Sequence, residues 1–131
     1  MNKNNLKSIV ENLINTFELA GKESIELQKL GLKIKIKDDN TPVSNGDLRV
    51  NEIITNKIKE LTPEIPIISE ETVDIKIKNN NKIFWLIDPI DGTKEYIKGK
   101  SEYTLNAALV IDQVPQIGMV GVPRKNQLFF T

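Results

Sequence analysis

Apolar residues recur every three or four positions at Leu6, Ile9, Leu13, Phe17 and Ala20, and Val10 and Ile14 widen the stripe. This spacing predicts a long amphipathic helix from about Asn4 to Leu30, stopped by Gly31. The period then drops to two. LKIKIKD, residues 32–38, predicts a half-exposed strand, and the turn formers of DDNTPVSNGD predict a loop after it. Helical spacing returns with Leu48, Ile53, Ile54, Ile58 and Leu61. A second helix is expected from Asp47 to Leu61, capped by Ser44 or Asn45 and closed off by Pro63 and Pro66. IPIIS predicts a short strand leading to the acidic pair Glu70-Glu71. KNNNK predicts a polar loop, and KIFWLI a buried-type strand ending at Asp88. Beyond a short helical turn from Thr93, YTLNAALVI and QIGMVGV predict two strands joined around Asp112 to Pro115. QLFFT opens a third. The pattern is α+β, with long helices on a mainly antiparallel sheet. The last strand offers an uncovered apolar edge, so the chain is expected to be the front part of a larger architecture.

Composition removes most catalytic chemistry. The 131 residues contain no cysteine and no histidine. Disulfides, thiolate nucleophiles, imidazole bases and Cys or His metal ligands are therefore absent. Catalysis by this chain must use carboxylates, hydroxyls, lysines, backbone amides and a hard, oxygen-seeking cation. Acidic and basic residues balance at 18 each, which gives no bulk attraction to nucleic acid or membrane. Lys33, Lys35, Lys76 and Lys78 could form a basic nucleic-acid edge, but an aromatic content of 5% offers few bases a stacking platform. No signal peptide or membrane span is read, so the expected location is cytoplasmic, with peripheral membrane association left open.

Acidic residues fall at three element ends: Asp47 at a helix start, Glu70-Glu71 after one strand, and Asp88 with Asp91 after another. Singly, each has a plain reading, as a dipole-favouring first turn, a solvated turn, and a tight Asp-Pro-x-Asp-Gly turn. Together they suggest a cation site. A turn joining Asp88 to Asp91 also offers the Ile90 carbonyl, and such oxygen ligands suit Mg²⁺. Gly92 lets a ligand approach the backbone, and a helix starting at Thr93 would add an anion site. Carboxylate-held Mg²⁺ beside an anion cradle is the arrangement that phosphate ester hydrolysis needs.

These residues resemble the lithium-sensitive, Mg²⁺-dependent inositol monophosphatase family along nearly the whole chain. The motif D-P-[IL]-D-G-T stands as Asp88-Pro89-Ile90-Asp91-Gly92-Thr93, after the apolar segment at Trp85. The upstream acidic pair stands as Ser69-Glu70-Glu71, and the earlier loop motif as Thr41-Pro42-Val43-Ser44-Asn45-Gly46-Asp47. GTKEYI followed by EYTLNAALV looks most like the 3′(2′),5′-bisphosphate nucleotidase branch, which removes the 3′-phosphate of adenosine 3′,5′-bisphosphate. Inositol monophosphate and fructose bisphosphate phosphatases are the alternatives.

The resemblance implies a layered α/β/α sandwich of which residues 1–131 form the N-terminal domain, the C-terminal domain being absent. It implies two or three Mg²⁺ ions in a complete site, with Glu70, Asp88, the Ile90 carbonyl and Asp91 as ligands. It implies phosphate binding by the Gly92 and Thr93 amides, and a Thr93 hydroxyl that, bonded to Asp47, helps deprotonate the attacking water. Glu71 would assist, and Lys37 would steady the loop or the phosphate; Glu70, Ile90 and Asp91 also face the substrate. A further metal-binding aspartate belongs to the second half of family members, and Asp112 is a poor stand-in for it. A homodimer, association with a missing C-terminal half, and a truncated non-catalytic metal- or anion-binding domain are the partner expectations.

Overall fold

The computed structural model describes residues 2–69 and 82–131. The element order is α1 (Lys3–Leu30), β1 (Ile34–Ile36), β2 (Pro42–Ser44), α2 (Asn45–Leu61), β3 (Ile67–Ser69), β4 (Ile83–Asp91), α3 (Thr93–Ile97), β5 (Thr104–Ile111), β6 (Val114–Val122) and β7 (Gln127–Phe130), with a 3-10 turn at Pro123–Lys125. Strands β3-β4-β5-β6-β7 form a five-stranded sheet in that order, antiparallel except for the β3–β4 pair. The mixed α+β architecture expected from the pattern is present.

α1 starts where the Asn2 side chain accepts a hydrogen bond from the Asn5 amide, 2.9 Å away. The predicted stripe is the buried one: Ile9, Val10, Leu13, Phe17 and Ala20 are all inside. α2 buries Val50, Ile54 and Ile58 beside it. The two helices are also tied by Arg49, whose Nε donates to Glu23 Oε1 of α1 at 2.9 Å, while its Nη1 donates within α2 to Glu52 Oε1 at 2.8 Å. Both helices pack on one face of the sheet, against Trp85 and Ile87 of β4, Leu105 and Leu109 of β5, and Ile117 and Met119 of β6. Full burial of each such side chain stabilises the fold by roughly 1.5–3 kcal/mol. The Trp85 indole N–H is satisfied by Thr62 Oγ1 at 3.1 Å.

Four local expectations are corrected. β1 is fully exposed rather than half-exposed, because among the described residues it pairs with the three-residue β2 alone, in a separate two-stranded sheet. The predicted loop contains β2, whose Pro-Val-Ser sequence reads as turn chemistry until a partner is supplied. KIFWLI is buried on one face only. Its strand does not end at Asp88 but runs on through a bulge to Asp91. The β5–β6 turn is tight: Asp112 and Gln113 take φ of 49° and 66°, the left-handed pair that a two-residue hairpin requires.

Candidate active site

Side chains three apart on a regular strand point to opposite faces, so Asp88 and Asp91 should diverge. The bulge prevents that. Asp88 pairs with Asn106 and Asp91 pairs with Thr104, so three steps along β4 match two along β5. Directly paired residues of antiparallel strands share a face, and Thr104 and Asn106 are two apart. Asp88, Asp91, Thr104 and Asn106 therefore stand on one face, opposite to the helices. Asp88 is half-buried and Asp91 exposed.

The chain then turns sharply through Gly92, at φ 90°, where a Cβ would lie 2.7 Å from the Glu102 carbonyl oxygen. Only glycine fits this place, and it is the N-cap of α3. Thr93 opens that helix. Its hydroxyl lies 2.8 Å from Asp47 Oδ1 and 3.2 Å from the Ile90 carbonyl oxygen. The shorter contact, to a carboxylate, takes the single hydroxyl proton.

Asp47 arrives from the other side, at the third position of α2. Ser44 is the N-cap, its hydroxyl and amide both donating to Asp47 Oδ2 while the Asp47 amide donates back to Ser44 Oγ at 3.2 Å, a reciprocal capping box. Asp47 is 0% exposed. The two Ser44 donors hold a buried carboxylate that would otherwise be costly, and aim its other oxygen at Thr93.

Behind this pair, the Tyr96 ring packs so close to Gly46 that a Cβ there would meet Tyr96 Oη at 2.1 Å. Tyr96 Oη donates to the Ser24 carbonyl at 2.8 Å, and the ring lies edge-on to Tyr103 at 4.6 Å. Burial, then the neighbouring Tyr103 and Asp47, push the Tyr96 phenol well above the ordinary tyrosine range.

Of the predicted site residues, the structure thus brings together Asp47, Thr93 and the Ile90 carbonyl by direct contact, and sets Asp88 and Asp91 on one face. Lys37 is half-buried at the base of the β1–β2 turn, its amide bonded to the Thr41 carbonyl at 2.8 Å. Glu70, Glu71, Lys76 and Lys78 lie outside the described residues. Among the described residues no three carboxylates converge. Asp112 follows β5 at the end opposite to Thr104. Thr104 and Asn106 were not picked out from sequence, since only the pairing of β5 with β4 places them beside the carboxylates. No described helix is long and apolar enough to cross a membrane.

The donor set on this face fits a hard divalent cation. Asp88, Asp91 and the Ile90 carbonyl offer oxygen only, and the chain contains no softer histidine or cysteine ligand.

Residues 6–131 match the model of the inositol monophosphatase family, and the chain belongs to that family. It is 32% identical over 124 residues to the 3′(2′),5′-bisphosphate nucleotidase CysQ of Aggregatibacter actinomycetemcomitans, covering 93% of this chain and 46% of that protein. It is 37% identical over 94 residues to CysQ of Escherichia coli strain K12, covering 71% of this chain and 38% of that protein. A crystal structure of CysQ from Bacteroides thetaiotaomicron superimposes with a TM-score of 0.75 at 34% identity, over 95% of this chain and 45% of that one. The suhB protein of Bartonella henselae, at 21% identity, shares the fold with a TM-score of 0.84, over 95% of this chain and 48% of that one. By family the chain is of the phosphatase type. It spans less than half the length of the curated relatives it matches.

Proposed function

We propose that this chain supplies the N-terminal part of a Mg²⁺-dependent phosphate monoester hydrolase that releases the 3′-phosphate of adenosine 3′,5′-bisphosphate. The observation that carries the reading is the Thr93 Oγ1 to Asp47 Oδ1 bond of 2.8 Å beside the carboxylate-bearing face. Asp88, Asp91, the Ile90 carbonyl and Glu70 would hold the cations. Mg²⁺ held there would supply a water of lowered pKa and charge stabilisation for the leaving oxygen. The chain's own residues do the rest. Thr93 donates its hydroxyl hydrogen bond to Asp47, so as its oxygen takes the proton of the attacking water its own proton passes to the Asp47 carboxylate. Asp47, anchored by Ser44, holds that dyad in place. The Gly92 and Thr93 amides would receive the phosphate oxygens, with Glu71 assisting and Lys37 steadying the loop. Water attacks directly, without a covalent phosphoenzyme.

A second reading is favoured by the sheet's uncovered face. Leu86 is 49% exposed and Phe129 57%. They share with Val120 the face that carries Asp88, as the pairs Leu86–Ala108, Ala108–Gly118, Asn106–Val120 and Val120–Phe129 establish. A polypeptide equivalent to the second half of the relatives would cover this surface and complete the site. Alone, the chain would then bind cation and anion without turnover.

Phosphate release from adenosine 3′,5′-bisphosphate, inositol 1-phosphate and fructose 1,6-bisphosphate, with Mg²⁺ and with or without lithium, tests both readings. Lithium-sensitive release from the nucleotide, lost in Asp91→Asn with an unchanged circular dichroism spectrum, is expected. Preference for the inositol ester would overturn the substrate, and unchanged kinetics in Asp91→Asn would overturn the cation site. Mg²⁺ binding without turnover would favour the non-catalytic reading.

A further inference from the structure

Asn106 stands directly across from Asp88, in the last regular pair before the bulge. Its carboxamide is pinned: Nδ2 donates to Thr104 Oγ1 at 3.0 Å and lies 3.3 Å from the Thr104 carbonyl oxygen. With the amino group spent on Thr104, the carboxamide oxygen is the atom Asn106 offers to the half-buried space beside the carboxylates. An acceptor set next to Asp88 and Asp91 gains nothing from them, since oxygens facing oxygens repel. It gains when a donor stands between. Mg²⁺ dehydrates reluctantly and keeps several of its waters, each a strong hydrogen-bond donor.

We infer that Asn106 is a positioning residue of the cation site, its carboxamide oxygen accepting from a water of the hydrated cation that Asp88 and Asp91 hold, with Thr104 fixing the amide's orientation. The inference rests on the cation reading proposed above and extends it to two residues of β5. It also separates two kinds of neighbour. An oxygen at position 106 serves whether it is neutral or charged, whereas an apolar group does not.

The test uses the whole chain and Mn²⁺ as probe, followed by isothermal titration and electron paramagnetic resonance, with melting temperature measured with and without the metal. Asn106→Ala should bind Mn²⁺ about tenfold more weakly than the unsubstituted chain, the usual cost of losing an outer-sphere partner. Asn106→Asp keeps the oxygen and should bind at least as tightly as the unsubstituted chain. Its metal-free melting temperature should fall, because two carboxylates then stand directly across from one another, and Mn²⁺ should restore it. Thr104→Val, which deletes the pinning hydroxyl at constant shape, should weaken binding in the same direction and carries the test if Asn106→Ala does not fold. Equal affinity in Asn106→Ala and the unsubstituted chain, or Asn106→Asp binding as weakly as Asn106→Ala, would overturn the inference alone. Failure of the unsubstituted chain to bind Mn²⁺, or Asp91→Asn binding undiminished, would instead remove the cation reading and this inference with it.

Discussion

Tyr96 is a weak acid sealed behind the Asp47–Thr93 pair, and its hydroxyl proton is committed to the Ser24 carbonyl. Burial raises its pKa, with Tyr103 and Asp47 adding to the shift, and burial also raises Tyr103, against opposing help from Ser24 and Arg124. Raised folded-state values mean that the folded chain keeps these protons while the unfolded chain releases them above about pH 10. The folded state then binds more protons than the unfolded one, so stability falls as pH rises. Their contribution is fully present below about pH 10 and is lost progressively above it. Urea unfolding from pH 8 to 11 should show this decline, and Tyr96→Phe should flatten it. An equally steep decline in Tyr96→Phe and in a Tyr103→Phe companion would show that neither phenol is responsible.

The first turn of α2 and the first turn of α3 meet at Gly46, and the fit there fixes how Asp47 addresses Thr93. Gly46→Ala brings two opposed effects. Replacing a helical glycine favours the helix by up to about 1 kcal/mol. Against that, the new Cβ would lie 2.1 Å from Tyr96 Oη, 2.6 Å from Cε2 and 2.7 Å from Cζ. The ring is held by Ser24 and Tyr103 and cannot simply swing away, so overpacking of about 1–3 kcal/mol should win. Tyr96→Phe removes the nearest atom but leaves two ring carbons too close. The double variant should therefore recover only part of the loss, with a coupling of about 1 kcal/mol in denaturant titrations. Strict additivity would mean that the contact does not limit the fit. The sequence made this element legible in parts. The stripe located α1 to within a residue, and Ser44 was one of the two caps expected for α2, though its reciprocal bonding with Asp47 was not read. The Gly46–Tyr96 fit left no such mark, because it joins residues fifty positions apart on separate helices. β2 escaped notice for a similar reason: three residues of turn-like composition become a strand only when β1 lies alongside. The bulge after Asp88 was read as a strand end because Pro89 and Gly92 also signal turns. Its consequence, that Asp91 joins Asp88, Thr104 and Asn106 on one face, lies in register, which no local pattern carries.

On the scale of the molecule, helices close one face of the sheet, and among the described residues no element closes the other. The open face carries Phe84, Leu86, Val110, Val120 and Phe129, with the carboxylates at one end. At its edge, β7 reads Gln-Leu-Phe-Phe, with no charge or proline to discourage pairing with another strand. A half-solvated antiparallel sheet ordinarily turns polar residues outward, so this face departs from the rule. Exposed apolar surface of this kind associates with whatever covers it. Two substitutions separate face from edge. Leu86→Lys puts a charge in the middle of the open face without touching the helix-packed core, and Phe129→Lys puts one on both the face and the edge strand. Sedimentation of the chain alone should show mass rising with concentration over the micromolar range, and each substitution should shift it towards the monomer. If Phe129→Lys suppresses association and Leu86→Lys does not, strand pairing at β7 drives it. If both act, the open face is the surface that seeks cover. A monodisperse monomer at all concentrations would mean that this surface is solvated as it stands, and that the carboxylates at its end face water.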